Sequence, residues 1–148
     1  MLSTGEIALA RGVFGDAIDY ARVRIVRRKW MFFQPRDTVM APLGKIHFHP
    51  AGTRYRDDFA VASLADQALF IHEMVHVWQH QRGLFLPLLR HPWCRYDYVL
   101  KPGQPLHRYG IEQQAEIVAD VFLLRQGARM EGAAELAAYA GVLPFGNA

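Results

Sequence analysis

The sequence predicts an α+β domain in which helices predominate and the β-sheet is small. Residues 63–82 and 109–127 carry apolar side chains at helical spacing, so each segment is predicted to be a long helix. Residues 23–27 and 45–49 alternate polar and apolar side chains, which is typical of short strands. With 148 residues the chain is long enough for a single domain, residues 1–148, with its own hydrophobic core.

Two further helices are expected towards the ends of the chain. The first covers residues 3–15, where Ser3 or Thr4 can cap the first turn and Glu6 suits the positive end of the helix dipole. The second covers residues 131–140, which are rich in alanine. The sheet is therefore expected to contribute much less of the domain than the helices.

Composition and charge are those of an ordinary globular domain. The chain has 17 basic and 14 acidic residues, and Cys94 is its single cysteine, so no internal disulfide is expected. The N-terminus lacks the apolar segment of a signal peptide, and no apolar run approaches the ~20 residues of a membrane span. The sequence predicts a protein made in the cytoplasm without a signal peptide and without a membrane span.

Cations and aromatic side chains stand together in residues 27–33, which read Arg-Arg-Lys-Trp-Met-Phe-Phe. Such a run is compatible with a surface for nucleic acid or for a membrane. Because the run is short, we favour an exposed turn followed by aromatic residues of the core. A basic nucleic-acid-binding domain is a weaker hypothesis, and no nucleic-acid partner is predicted.

The central motif is H-E-x-x-H, formed by His72, Glu73 and His76 in the apolar segment 63–82. Residues four apart lie on one face of a helix, so both imidazoles can reach a single Zn²⁺. Glu73 points beside the metal, where it can take a proton from water as the general base of a metallopeptidase. The motif therefore predicts a zinc site on a buried helix.

Zinc needs a third protein ligand and an open fourth position. The extended motif with a third histidine is excluded, because its last two fixed positions are Gln79 and Arg82. His80 continues the row of histidines, but it lies about 12 Å from His72 along the helix axis, too far for one ion to bridge. The third ligand is therefore expected elsewhere in the chain.

Three acidic residues, Glu112, Glu116 and Asp120, form a row along the predicted helix 109–127. Carboxylates at this spacing repel one another unless a cation lies beside them. Glu116 is our choice as the third zinc ligand, with Glu112 as the alternative. Asp120, one turn further on, is expected to accept the free N–H of a ligand histidine.

These residues resemble the gluzincin pattern of zinc peptidases. More narrowly, the chain resembles the metallopeptidase domain fused to the C-terminus of some VgrG-type spike proteins of the type VI secretion system, and stand-alone Vgr-related proteins. The segments that carry this resemblance are residues 5–11, 14–20, 23–25, 72–79 and 112–116.

The resemblance implies a zincin-like fold with Zn²⁺ held between two helices by His72, His76 and Glu116, and with Glu73 as base. It also implies hydrolysis of peptide bonds in a peptide or protein substrate. Delivery by a type VI system into target cells as an antibacterial effector follows from the same resemblance, with a secretion spike and an immunity protein as partners. Gluzincins often carry Asn before the third ligand, whereas this chain has Ala115.

The sequence also suggests residues for oxyanion stabilisation and substrate binding, and an alternative function. Tyr109 or His107 is expected to stabilise the oxyanion of the tetrahedral intermediate, because both precede the helix of the third ligand. Residues 46–49 are expected to present a strand edge to an extended substrate. The alternative function is a non-catalytic module of a secretion spike that is stabilised by its zinc.

Overall fold

The fold is α+β and mainly helical, as the sequence predicts. The computed structural model describes residues 1–90 and 93–145. The α-helices and strands of the described chain follow in the order α1 (Thr4–Phe14), β1 (Arg24–Val26), β2 (Lys45–His47), α2 (Leu64–Gln81), α3 (Leu86–Leu89) and α4 (Ile111–Arg125). In the described part of the chain, no helix is long and apolar enough to cross a membrane.

A capping box begins α1 and also fastens it to the rest of the fold. The Oγ of Ser3 accepts a hydrogen bond from the backbone N–H of Glu6, at 3.0 Å. The carboxylate of Glu6 accepts from the N–H of Ser3 and from the N–H of Phe59, at 2.8 and 3.1 Å. The predicted N-terminal helix is confirmed, and the same glutamate links it to the 3₁₀ turn Phe59–Val61.

The sheet consists of β1 and β2, which pair in parallel with Ile25 opposite Ile46. On its other side, β2 is bridged to Met40: the N–H of each of Met40 and His47 donates to the carbonyl of the other, at 3.2 and 2.7 Å. The expectation that residues 46–49 present a free edge is therefore wrong at His47. The outer edge of this small sheet is the extended segment around Met40.

The hydrophobic core lies mainly between α2 and α4, the two helices with the most extensive mutual contact. Ser63 caps α2 by accepting from the N–H of Asp66, which confirms the predicted start of this helix. Both helices turn apolar side chains towards each other, and those that are fully or almost fully buried include Ile71, Met74, Val75, Ala115, Ile117 and Val118. Burial of this interface fixes the position of every polar side chain between the two helices.

Two sequence predictions fail in detail. Residues 131–140 form only the 3₁₀ turn Leu136–Tyr139, because Gly132 within the segment and Gly141 after it have positive φ angles that interrupt a helix. Phe32 and Phe33 are not core residues, since they are 85% and 64% exposed.

The buried side chain at the end of the 27–33 run is that of Gln34. Its amide nitrogen donates to the carbonyls of Thr38 and His47, and its amide oxygen accepts from the N–H of Trp30. This hydrogen bonding holds Gln34 inside and leaves the two preceding phenylalanines on the surface of the turn.

Candidate metal centre

Three buried side chains converge between α2 and α4. The rings of His72 and His76 lie on one face of α2, with their centroids 5.1 Å apart. Glu112, in the first turn of α4, places its Oε2 atom 3.3 Å from Nε2 of His72 and 3.1 Å from Nε2 of His76. Each of the three residues offers a ligand atom within 4.8 Å of the others. We call this group the His–His–Glu cluster.

Glu116 lies on the other side of the His72 ring. Its Oε1 atom is 3.1 Å from Nδ1 of His72 and accepts a hydrogen bond from that nitrogen. Nε2 of the same ring faces Glu112. The structure therefore brings Glu112, the alternative, to the two Nε2 atoms, and Glu116 to the position expected for Asp120. Asp120 instead accepts a hydrogen bond from the hydroxyl of Tyr98.

Gln79 orients the second histidine. Nδ1 of His76 lies 2.9 Å from the amide oxygen of Gln79, which can only accept, so this nitrogen carries a proton and Nε2 faces Glu112. The amide nitrogen of Gln79 is itself fixed, since it donates to the carbonyl of Ile111 and to Oε1 of Gln114, at 3.0 Å each. The same side chain thus aims His76 and ties α2 to the start of α4.

Charge in the cluster is strongly coupled. Burial raises the pKa of Glu112, but hydrogen bonds from His72 and His76 outweigh it and hold that pKa well below its usual range. Burial lowers the pKa of His72, yet hydrogen bonds to Glu112 and Glu116 raise it to about 10. Positive charge beside these carboxylates is therefore favoured, whether a proton or a metal ion supplies it.

Two buried carboxylate oxygens in the described part of the chain have no hydrogen-bond donor. One is Oε2 of Glu73, and the other is Oε1 of Glu112. Oε1 of Glu112 does lie 3.1 Å from Nε of Arg90, which supplies charge but not the alignment of a hydrogen bond. A buried acceptor without a donor is costly, so both atoms indicate a functional rather than a structural role.

The cluster lies between two cavities. A cavity of about 350 Å³ is bordered by His72, Glu73 and Tyr96. A more apolar cavity of about 370 Å³ is bordered by His76 and Glu112. Arg90 borders both cavities. In the extended segment 37–42, residues 37–39 border the first cavity and residues 40–42 border the second. Together they form one cleft that passes over the His–His–Glu cluster.

Comparison with known proteins places the chain in a family. No family model matches it. A solved structure, the effector domain of Pseudomonas aeruginosa VgrG2b, superposes with a TM-score of 0.81 and 44% sequence identity, over 96% of this chain and 82% of that chain. The chain belongs to the family of VgrG2b effector domains.

The relation extends to the spike protein from which that domain comes. The type VI secretion system spike protein VgrG2b of Pseudomonas aeruginosa (strain PAO1) is 48% identical to this chain over 132 residues. The match covers 82% of this chain but only 13% of the length of that protein. The predicted relation to VgrG-type spike proteins is confirmed, whereas the assignment to gluzincin peptidases gains no support from these comparisons.

Tyr109 and His107 do not reach the cluster of this VgrG2b-type domain. The hydroxyl of Tyr109 accepts a hydrogen bond from the N–H of Lys101, at 3.0 Å, and its side chain is buried outside both cavities of the cleft. His107 is exposed and borders a different cavity, beside Trp78.

Two polar side chains that border the cleft, those of Arg90 and Tyr96, come from the connection between α2 and α4. The Nη2 atom of Arg90 donates to the hydroxyl of Tyr96, at 3.0 Å, and the Tyr96 ring stacks on the His72 ring with centroids 6.3 Å apart. No periodicity marks this connection, so no sequence pattern singles out Arg90 or Tyr96. Gln79 did carry a signal, because a polar residue three positions after His76 interrupts an apolar stripe.

Proposed function

We propose that this domain is a zinc-dependent peptidase whose metal ligands are His72, His76 and Glu112. The observation that carries the proposal is the convergence of two imidazole Nε2 atoms and one carboxylate oxygen, all buried, beside Glu73, whose Oε2 atom has no hydrogen-bond donor. Two nitrogens and one oxygen are a common donor set for catalytic zinc, which keeps a fourth position open. Nδ1 of His72 lies close to Glu116, and Nδ1 of His76 lies close to Gln79. These contacts support the fit, since outer partners of this kind orient ligand histidines.

Zinc held there would polarise the scissile carbonyl and make a water molecule more acidic. The carboxylate of Glu73 would accept a proton from the attacking water and pass it to the departing amine. Its Oε2 atom is free for this task because it has no donor within the described protein. Burial beside the cluster also keeps the carboxylate close to the reacting groups.

Arg90 and Tyr96 are proposed to stabilise the developing oxyanion, in place of Tyr109. The Tyr96 hydroxyl accepts its hydrogen bond from Arg90 and so can donate its own proton into the cleft. Burial raises the pKa of Tyr96, which keeps this hydroxyl protonated. The nearby guanidinium adds positive charge at the same point of the cleft.

A Tyr96→Phe variant is expected to lower kcat by about 10²-fold, because it removes one oxyanion donor while keeping the ring that stacks on His72. Its zinc content should equal that of the wild type. The matched control is Tyr55→Phe, which removes a hydroxyl away from the cleft. A normal kcat for Tyr96→Phe would assign the oxyanion to another donor.

An extended peptide is the substrate shape that the cleft fits. Met40 uses its backbone groups to pair with His47, so in an extended segment the backbone groups of Val39 and Ala41 face the opposite side. Residues 37–39 border the cavity of Glu73, and residues 40–42 border the apolar cavity. A peptide could therefore add along this segment, as in β-strand addition.

Gln79→Ala is expected to weaken zinc binding by about 10–100-fold, because His76 loses the acceptor that fixes its proton on Nδ1. Zinc affinity measured by competition with a chromophoric chelator tests this. Gln67→Ala is the matched control, since Gln67 lies on the same helix and donates to Ala60 away from the cluster. Equal affinities of the two variants would contradict the orienting role of Gln79.

Delivery is proposed from the relatives. Because they are a spike protein of the type VI secretion system and its effector domain, we propose that this domain is an effector carried by such a spike. An immunity protein in the producing cell is the expected second partner. Bacterial growth measured during production of the wild type and of Glu73→Gln tests whether toxicity depends on the proposed chemistry.

Peptidase activity itself is tested by incubating the zinc-loaded protein with a mixture of unstructured peptides and identifying new termini by mass spectrometry. We expect cleavage that stops when a chelator removes zinc and returns when zinc is restored. Activity that persists without metal would contradict the proposal.

A further inference from the structure

The 27–33 run forms an exposed surface beside the cleft. Phe32 is 85% and Phe33 64% exposed. Across the apolar cavity, the segment that contains α3 exposes Phe85 and Leu88, by 57% and 79%. The two segments lie on the same cavity, since Phe33 and Leu86 both border it. We call the exposed side chains of Phe32, Phe33, Phe85 and Leu88 the apolar rim.

Cations are concentrated in the part of the chain that carries Phe32 and Phe33 of the apolar rim. Residues 20–36 contain no acidic residue but include six basic ones, namely Arg22, Arg24, Arg27, Arg28, Lys29 and Arg36. The chain has a formal net charge of +3, so the rest of the molecule carries −3. Arg27, Arg28 and Lys29 are all exposed and directly precede the apolar rim. Positive charge is thus concentrated where apolar side chains project into solvent.

We propose that this surface binds the face of an anionic lipid bilayer, with the apolar rim inserted and the cations at the headgroups. Aromatic and aliphatic side chains beside Lys and Arg are the pattern of proteins that lie on a membrane surface. The aliphatic Leu88 and the short α3 favour acyl chains over nucleic-acid bases, which need flat side chains for stacking. The occupant is therefore lipid and not nucleic acid.

Binding in this orientation would hold the cleft near the bilayer. Met31 and Phe33 border the cavity that also contains His76 and Glu112, so the inserted segment and the His–His–Glu cluster share one cavity. Peptide segments close to a membrane surface would then be the accessible substrates. Lipid binding does not itself depend on zinc or on peptide hydrolysis, so the two proposals can fail separately.

Vesicle co-sedimentation tests the inference with no peptide present. Vesicles of phosphatidylglycerol and phosphatidylethanolamine are compared with vesicles of phosphatidylcholine. We expect partition into the anionic vesicles, reduced by salt and weaker by about fivefold for each of Arg28→Gln and Lys29→Gln. Arg54→Gln, at an exposed arginine outside the surface, is the matched control and should change little.

The apolar rim is tested by the double variant Phe32→Ser and Phe33→Ser. We expect partition to fall by at least about tenfold, since two phenyl rings no longer enter the bilayer. Val61→Ser, at a valine that is 84% exposed elsewhere, should bind as the wild type does. Replacing both phenylalanines with tryptophan should retain binding, which separates loss of insertion from loss of folding.

The inference would be overturned by absence of partition into the anionic vesicles, by equal partition into phosphatidylcholine, or by unchanged partition of the double serine variant. Binding to duplex DNA without partition into vesicles would also overturn it, and would assign the cations to a nucleic acid.

Discussion

A Glu73→Gln variant is expected to keep its zinc and to lose peptidase activity by about 10²–10⁴-fold. The amide retains the size of the carboxylate but cannot accept a proton from water at neutral pH. Glu73 is not among the three side chains that converge on the metal position, so zinc content should stay at that of the wild type. Cleavage of a peptide mixture at equal zinc occupancy measures the effect.

Glu135→Gln is the matched control for this variant, because Glu135 is an exposed carboxylate outside the cleft. It should cleave at the wild-type rate. Full activity of Glu73→Gln would remove the general base from the account. Absence of activity in both proteins, with zinc bound, would favour the alternative of a zinc-stabilised, non-catalytic module.

Replacing Glu112 with alanine is expected to have the largest effect on zinc binding, and Glu116→Ala a smaller one. Glu112 faces both Nε2 atoms, whereas Glu116 reaches only Nδ1 of His72. Loss of an outer partner typically weakens metal binding by about 10–100-fold. Loss of Glu112 should weaken zinc binding by a larger factor, since it removes one of the three proposed ligands.

Thermal unfolding gives a second readout of the same comparison. At a zinc concentration 1,000 times Kd, binding stabilises the folded state by about 4 kcal/mol. In a domain of this size that raises Tm by about 8–16 °C. We expect this rise for the wild type, about one to two thirds of it for Glu116→Ala, and less than one third for Glu112→Ala.

Glu112→Gln is included because alanine leaves the Nε2 atoms of two buried histidines without a partner and could unfold the protein. The amide fills the same space and is a poor zinc ligand. If Glu112→Gln gains the full zinc-dependent rise in Tm while Glu116→Ala gains none, the third ligand is Glu116.

The sequence predicted the two histidines and the helix that carries them because H-E-x-x-H fixes their relation within a single element. The third ligand depends on how two elements pack. Glu112 and Glu116 share one row of α4, and the spacing within that row is the same whichever of them faces α2. Only the packing of α4, which brings its first turn to His76, places Glu112 at the Nε2 atoms.

Residues in irregular segments were the least predictable. Arg90 and Tyr96 lie in a connection without periodicity, so their approach to the cleft is decided by tertiary contacts alone. Phe32 and Phe33 were predicted to lie in the core because aromatic residues are usually buried. Here the side chain of Gln34 takes the interior position instead. The fold class was predictable since it depends on long periodic segments.

The measurement that tests the account most directly is an anomalous-difference map from crystals of the zinc-loaded protein, recorded on both sides of the zinc absorption edge. We predict a single strong peak between α2 and α4, about 2.0–2.2 Å from Nε2 of His72, Nε2 of His76 and a carboxylate oxygen of Glu112. A peak coordinated by Glu116 in place of Glu112 would move the third ligand. A zinc-saturated crystal without a peak between His72 and His76 would contradict the central claim.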